Sequence, residues 1–265
     1  MSYNNFVVGW LPEISWDSPQ PETMAEFLEA NSNIFEPYSE GIAKILLHNE
    51  IMNAELLLSE RISGNPAGDF FTPSIMTRPE FERFLDNPVI FQPDHFPQFM
   101  TDFFEDFKED SDRYANIEEL YVRYFAYLHA DEIPFFRYYG RVAGIFRTAI
   151  AAYRLIKLSI PLEGNLKGDP DIVKTIIENR TSPDLGLKSE IYEITEIIDM
   201  FNLEPAELEK RFDRVHFDLV GNVGQESPFG EHIIYNYLIG LFVKDRWNYL
   251  NEEKGRKFLD DIIKG

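Results

Sequence analysis

The sequence predicts an all-α fold, a multi-helix assembly of antiparallel helices, and three observations carry that expectation. Apolar residues recur at three- and four-residue steps over 38–62, 111–131 and 134–158. Period-2 alternation is almost absent. Stretches rich in Pro and Gly, at 63–78, 159–170 and 221–230, punctuate the periodic segments. None of these breaks is long or polar enough to be a linker between independent domains. Residues 1–265 therefore read as a single helical domain, with subdivisions near the three breaks.

The chain opens on Phe6-Val7-Val8-Gly9-Trp10-Leu11, a short apolar run stopped by Pro12, which reads as a buried extended or single-turn segment. Thr23 followed three residues later by Glu26 fits a capping box opening a short helix. Over 38–62 the helical period runs through Ile42, Ile45, Leu46, Asn49, Met52 and Leu56. That helix would be about 35 Å long at the usual rise per residue. Residues 63–98 hold six prolines and six phenylalanines, with one short helix expected at 79–86. So long an irregular stretch either wraps the core with its Phe side chains or meets a partner.

Helices are expected next at 99–109 and 111–131, the latter with a stripe of Tyr114, Ile117, Leu120, Tyr121, Tyr124, Phe125 and Leu128. Pro134 opens a long helix over 134–158. Shorter helices follow near 171–179, 186–201 and 205–220, then a final pair at 231–249 and 251–263.

Composition excludes several functions. With no cysteine there are no disulfides, no thiolate metal sites and no thiol catalysis. The net charge of −21 repels nucleic acid and anionic lipid, and suits a basic protein partner or simple solubility. No run of about 18 apolar residues occurs, and the N-terminus lacks the basic region of a signal peptide, so the chain is expected to be cytoplasmic.

No catalytic, cofactor or metal site is expected. The chain has no phosphate loop, no dinucleotide fingerprint and no nucleophile elbow. Its five histidines form no H-E-x-x-H or Glu-x-x-His pair. Asp213 and His216 have ligand-like spacing but no second pair, so a surface hydrogen bond is expected there. The acidic run from Glu105 to Asp112 lacks the central Gly of a calcium loop, and its acids are placed to complement the dipole of the following helix.

Charge is unevenly spread. Residues 1–60 carry ten acids and one base, Lys44, whereas Ile133 to Ile160 hold five bases and no acid. Among those bases, Arg137, Arg141, Arg147 and Arg154 recur near three-, four- or seven-residue spacings. Two readings fit them. They form a docking strip for an acidic partner, or they pair internally with the acidic helices of 22–60 or 102–119.

The two ends of the chain resemble a known family. At the C-terminus stand Phe229-Gly230-Glu231, Tyr237-Leu238, Asp245-Arg246-Trp247-Asn248, Leu250, Gly255 and Leu259-Asp260. At the N-terminus stand Phe6 to Pro12 and Ala25-Glu26-Phe27-Leu28. These resemble a bacterial family encoded beside the genes of V-type ATP synthases, which stands in for the C-type stalk component of V/A-ATPases (d-type in the eukaryotic V-ATPase). The match covers roughly 35 residues at the C-terminus and about 25 at the N-terminus. The resemblance implies an all-helical, funnel-like adaptor without catalysis, on the cytoplasmic face of the membrane, joining the rotor ring to the central shaft. The threefold helical pseudo-repeat of the C-type component is not visible in this chain. Trp247 is expected to be a core anchor of the last helix pair. A helical adaptor unrelated to ATPases, and an enzyme with an active site outside the known motifs, remain the competing classes.

Overall fold

The capping box expected at Thr23 is formed: the Glu26 N–H donates to Thr23 Oγ1 at 3.2 Å and the Thr23 N–H to Glu26 Oε2 at 2.8 Å. A second box, Thr77 with Glu80, opens the short helix expected in the Pro/Phe-rich stretch. The computed structural model describes residues 3–18, 22–94, 96–191, 194, 203, 205–221 and 230–249. Among them the regular elements are all helical. By compactness the chain divides into two units: unit 1 is Met1–Tyr38 with Glu196–Gly265, and unit 2 is Ser39–Thr195. The breaks at 63–78 and 159–170 lie inside unit 2 and do not mark the division. Most of 221–230 lies outside the described residues.

Unit 2 contains α4 (Ser39–Ser63), α5 (Arg78–Asp86), α6 (Gln98–Asp106), α7 (Asp110–Ala115), α8 (Ile117–His129), α9 (Pro134–Lys157) and α10 (Pro170–Glu178). The helix expected over 111–131 is two helices, broken at Asn116. Its stripe is buried from Ile117 onward, while Tyr114, on the far side of the break, is exposed.

Helix α4 departs from the expected face. Leu46, Met52 and Leu56 are only half-buried, whereas Leu47, Ile51, Ala54 and Leu58 are core. Burial extends almost all round this helix, so no single stripe defines it. Its buried polar residues hold the irregular chain that follows. Asn49 Nδ2 donates to Pro73 O at 2.7 Å. Asn53 exchanges two bonds with the Phe71 backbone, at 2.7 and 3.1 Å. Glu50 accepts from Ser74 Oγ at 2.6 Å and from the Ile75 N–H. The stretch 63–98 thus wraps the core: Phe81, Phe84 and Phe96 are buried, with Phe84 edge-on to Phe96 at 5.4 Å and to Phe104 at 5.3 Å.

The pair α8–α9 is antiparallel, joined by the short turn at 130–133. Glycine at 140 makes their approach possible. A Cβ there would stand 2.6 Å from His129 N and 2.8 Å from Phe125 O, backbone atoms that cannot step aside. Replacing Gly by Ala inside a helix normally gains about 0.5–1 kcal/mol. Overpacking against backbone costs about 1–3 kcal/mol, so the clash should win. Gly140→Ala is expected to lower the urea midpoint of unit 2, and an unchanged or raised midpoint would show that the helices part freely there.

Unit 1 contains α1 (Tyr3–Trp10), α2 (Met24–Ala30), α3 (Ser32–Phe35), a 3-10 turn (Glu36–Tyr38), α11 (Pro205–Gly221) and α12 (Glu231–Tyr249). The opening run is therefore an α-helix and not an extended or single-turn segment. Its side chains split accordingly: Val7 is fully buried, while Phe6 and Trp10 point outward at 57% and 40% exposure. Helices α11 and α12 are antiparallel, Phe217 lying against Gly240 and Asp213 against Arg246. Of the helix expected over 186–201, residues 186–191 are turn and irregular chain, and the rest, Ile194 apart, lies outside the described residues. So does the helix expected over 251–263.

Candidate partner-binding surface

The four arginines of α9 do not form one continuous strip, because the helix sends them to different neighbours. Arg137, in the first turn, bends back over the α8–α9 turn and donates to the carbonyls of Asp131 and Glu132 at 3.1 and 3.2 Å. Arg141, one turn on, is half exposed and pairs with Glu190. Arg147 faces α8, where Glu118 accepts two bonds at 3.0 and 2.7 Å and the guanidinium lies 3.5 Å from the Tyr121 ring centroid. Arg154 stands exposed in the last turn with Lys157, where positive charge suits the helix dipole.

These placements separate two kinds of arginine. Arg137 donates to backbone carbonyls of its own turn, an intrachain contact that a docking partner would have to displace. Arg141 makes a surface ion pair, worth about 0–1 kcal/mol, which a partner's carboxylate could take over. The expected outcome is that Arg137→Ala costs about 1 kcal/mol while Arg141→Ala stays within about 0.5 kcal/mol of wild type, both read from urea melts. Equal losses at the two positions would contradict this division.

The acidic run Glu105 to Asp112 behaves as helix-junction acids do. Asp110 and Asp112 occupy the first turn of α7, Asp106 pairs with Arg123 at 2.9 Å, and Asp110 pairs with Arg113 at 3.0 Å. Among the described residues no group of three or more His, Asp or Glu is disposed to hold a metal ion. Among them, too, no helix is long and apolar enough to cross a membrane.

In unit 1 the charged residues of α12 tie the N-terminal segment down. Lys244 Nζ donates to the carbonyls of Ser15 and Ser18 at 2.6 and 2.5 Å, and burial pulls its pKa down. Asp245 Oδ2 accepts the Met24 N–H at 2.7 Å, supplying an acceptor to the first turn of α2. Arg246 reaches across to α11, to Glu209 at 2.8 Å and Asp213 at 3.3 Å. Rings complete the body: Phe27 lies 5.0 Å from Tyr237, and Trp16 lies 5.9 Å from Phe217.

Asp213 is thus not the surface residue that its spacing to His216 suggested. It is 3% exposed, and its Oδ2 has no hydrogen-bond partner among the described residues. Burial pushes its carboxyl up to about 6, opposed by Arg246 and helped by Glu209. The side chain of Trp247 lies outside the described residues. Lys244, which no sequence pattern singled out, carries no local signature. Its only signal is position, immediately before Asp245 and Arg246 in the resembling stretch.

A family model described as a protein of unknown function, DUF2764, matches residues 1–265. No curated protein and no solved structure matches the chain.

Proposed function

The chain belongs to the DUF2764 family over its whole length, and from that premise we propose that it is a non-catalytic adaptor in the central stalk of a V/A-type rotary ATPase. It joins the membrane rotor ring to the central shaft, seated through that complex on the cytoplasmic face of the inner membrane. The observation that carries the reading is the meeting, in unit 1, of the two stretches on which the resemblance to the C-type stalk component rests. Asp245 and Arg246 come from the C-terminal stretch; Val7 and Phe27 come from the N-terminal one. Phe27 packs on Tyr237, and Asp245 holds the backbone at Met24, just ahead of the Ala25 to Leu28 segment. A stretch spent on holding one body together, with its apolar residues at contacts, suits a part whose output is mechanical connection.

Purification of the tagged full chain from its native cell, in mild detergent, tests the reading. Proteins of the rotor ring and shaft are expected to copurify in fixed proportion, and to be lost as salt is raised. Recovery of the chain without any rotary ATPase component would refute the stalk role and leave a helical adaptor of another system. Arg141→Glu refines the test, because its surface pair can be lost without unfolding the chain. A folded Arg141→Glu chain with weakened assembly supports docking through α9. One that assembles normally removes Arg141 from the interface while the adaptor role stands on the copurification.

A further inference from the structure

We propose that the aromatic stripe of α1, Tyr3, Phe6 and Trp10, is a docking face for a basic amphipathic helix of another protein. The three residues are 47%, 57% and 40% exposed and stand at i, i+3 and i+7, which places them on one side of the helix. Val7, on the flank of this stripe, is fully buried and anchors the helix, so the three rings form the exposed margin of its packed side. Two of the rings are already held. Tyr3 stacks on Tyr38 at 6.4 Å and donates to Ile34 O at 2.9 Å, and Trp10 stacks on Phe27 at 6.0 Å. Aromatic side chains fixed in advance lose little freedom on binding, and they are the usual anchors of an interface.

Charge selects the partner. Residues 1–38 contain six carboxylates and no Lys, Arg or His. Exposed acids occur on the segments that carry the rings or stack against them: Glu13 follows α1, Glu29 is in α2 with Phe27, and Glu36 is in the 3-10 turn with Tyr38. A ligand that covers the rings must bring apolar side chains at helical spacing and positive charge at the rim. A second copy of a chain with net charge −21 is repelled overall, and so is an anionic lipid surface. The docking face belongs to unit 1 alone and does not depend on the rotary ATPase reading.

The test titrates the full chain, by calorimetry, with a synthetic Leu/Lys amphipathic helix and with a Leu/Glu helix of the same apolar pattern. The Lys helix is expected to bind and the Glu helix to fail. Phe6→Ser should weaken binding at least about tenfold, whereas Ile90→Ser, at an exposed apolar position of unit 2, should leave it unchanged. Equal binding by wild type and Phe6→Ser, or an equal loss in Ile90→Ser, overturns the proposal. A photo-crosslinking residue at position 6 gives a second reading that does not rely on a serine variant folding. Capture of the Lys helix supports the docking face. Capture of residues 250–265 of the same chain, or of a second copy, assigns the stripe another occupant and overturns it.

Discussion

Arg113→Ala is expected to cost unit 2 about 3–5 kcal/mol, the range for stripping one partner from a buried, charged hydrogen-bond network. The side chain is 7% exposed and its guanidinium is divided among several acceptors. Nε donates to Phe107 O at 2.8 Å, one terminal nitrogen to Leu85 O at 3.0 Å, and the other to Phe104 O at 3.0 Å. Asp110 completes the set at 3.0 Å, and the Phe104 ring lies beneath at 5.4 Å. Leu85 and Phe104 lie in the last turns of α5 and α6, where carbonyls have no partner within the helix, and Phe107 follows α6 directly. One planar fork therefore satisfies the ends of two helices and fixes α7 against both. Lysine offers a single ammonium and cannot span these positions, so Arg113→Lys should recover less than half of the loss. Urea melts with an unchanged slope and a lowered midpoint would report it. A loss below about 1 kcal/mol in Arg113→Ala would mean that water replaces the fork, and that the two helix ends do not depend on it.

The sequence announced most helices of this chain because their signals are local. Thr23 with Glu26, Pro134, and the periodic runs of α8 and α9 each act within a turn or two; the caps and α9 stand where they were expected, and the run over 111–131 is split at Asn116. What it hid depends on residues far apart. Arg113 sits beside an acidic run, yet its acceptors include Leu85, 28 positions away. Arg147 reaches Glu118 across 29 positions, within the acidic span 102–119 offered as one internal partner, while Arg141 reaches Glu190, outside both spans. Gly140 looked like any helical glycine until α8 lay against it.

Two misreadings have the same root. A six-residue apolar run such as Phe6 to Leu11 is too short to separate a helix from an extended segment by its period. Its exposed rings could not be told from its buried Val7. Helix α4 is buried on nearly every side, so its apolar residues mark no face, and Asn49 and Asn53 are inside because they bind backbone. One crossing between the units falls at Tyr38 and Ser39, where a 3-10 turn holding Pro37 runs directly into α4, so the chain stays helical there and no linker marks the division.

Glu50→Gln is expected to remove a fall in stability that wild type suffers between about pH 4.5 and about pH 7. Glu50 is fully buried on α4, its Oε1 accepting from Ser74 Oγ and the Ile75 N–H, while its Oε2 has no hydrogen-bond partner among the described residues. Burial pushes the carboxyl from the ordinary 4.5 up to about 7, against the pull of hydrogen bonds from Ser74, Ile75 and Met76. A folded pKa above the unfolded one means that, inside this window, the folded chain keeps a proton that the unfolded chain has released. Stability therefore declines as pH rises through the window and levels off above it. The shift corresponds to about 3 kcal/mol. Glutamine copies the shape and neutrality of the protonated acid, so the variant should match wild type near pH 4.5 and exceed it near pH 8. Asp213 contributes a slope of the same sign in unit 1, but over 3.8 to about 6, and general acidic repulsion adds another. The difference between wild type and Glu50→Gln cancels both. Urea melts at intervals from about pH 5 to about pH 8 supply that difference. Parallel curves for the two proteins would show that Glu50 is charged in the fold and that the 71–76 chain is held by an ion rather than by a neutral acid.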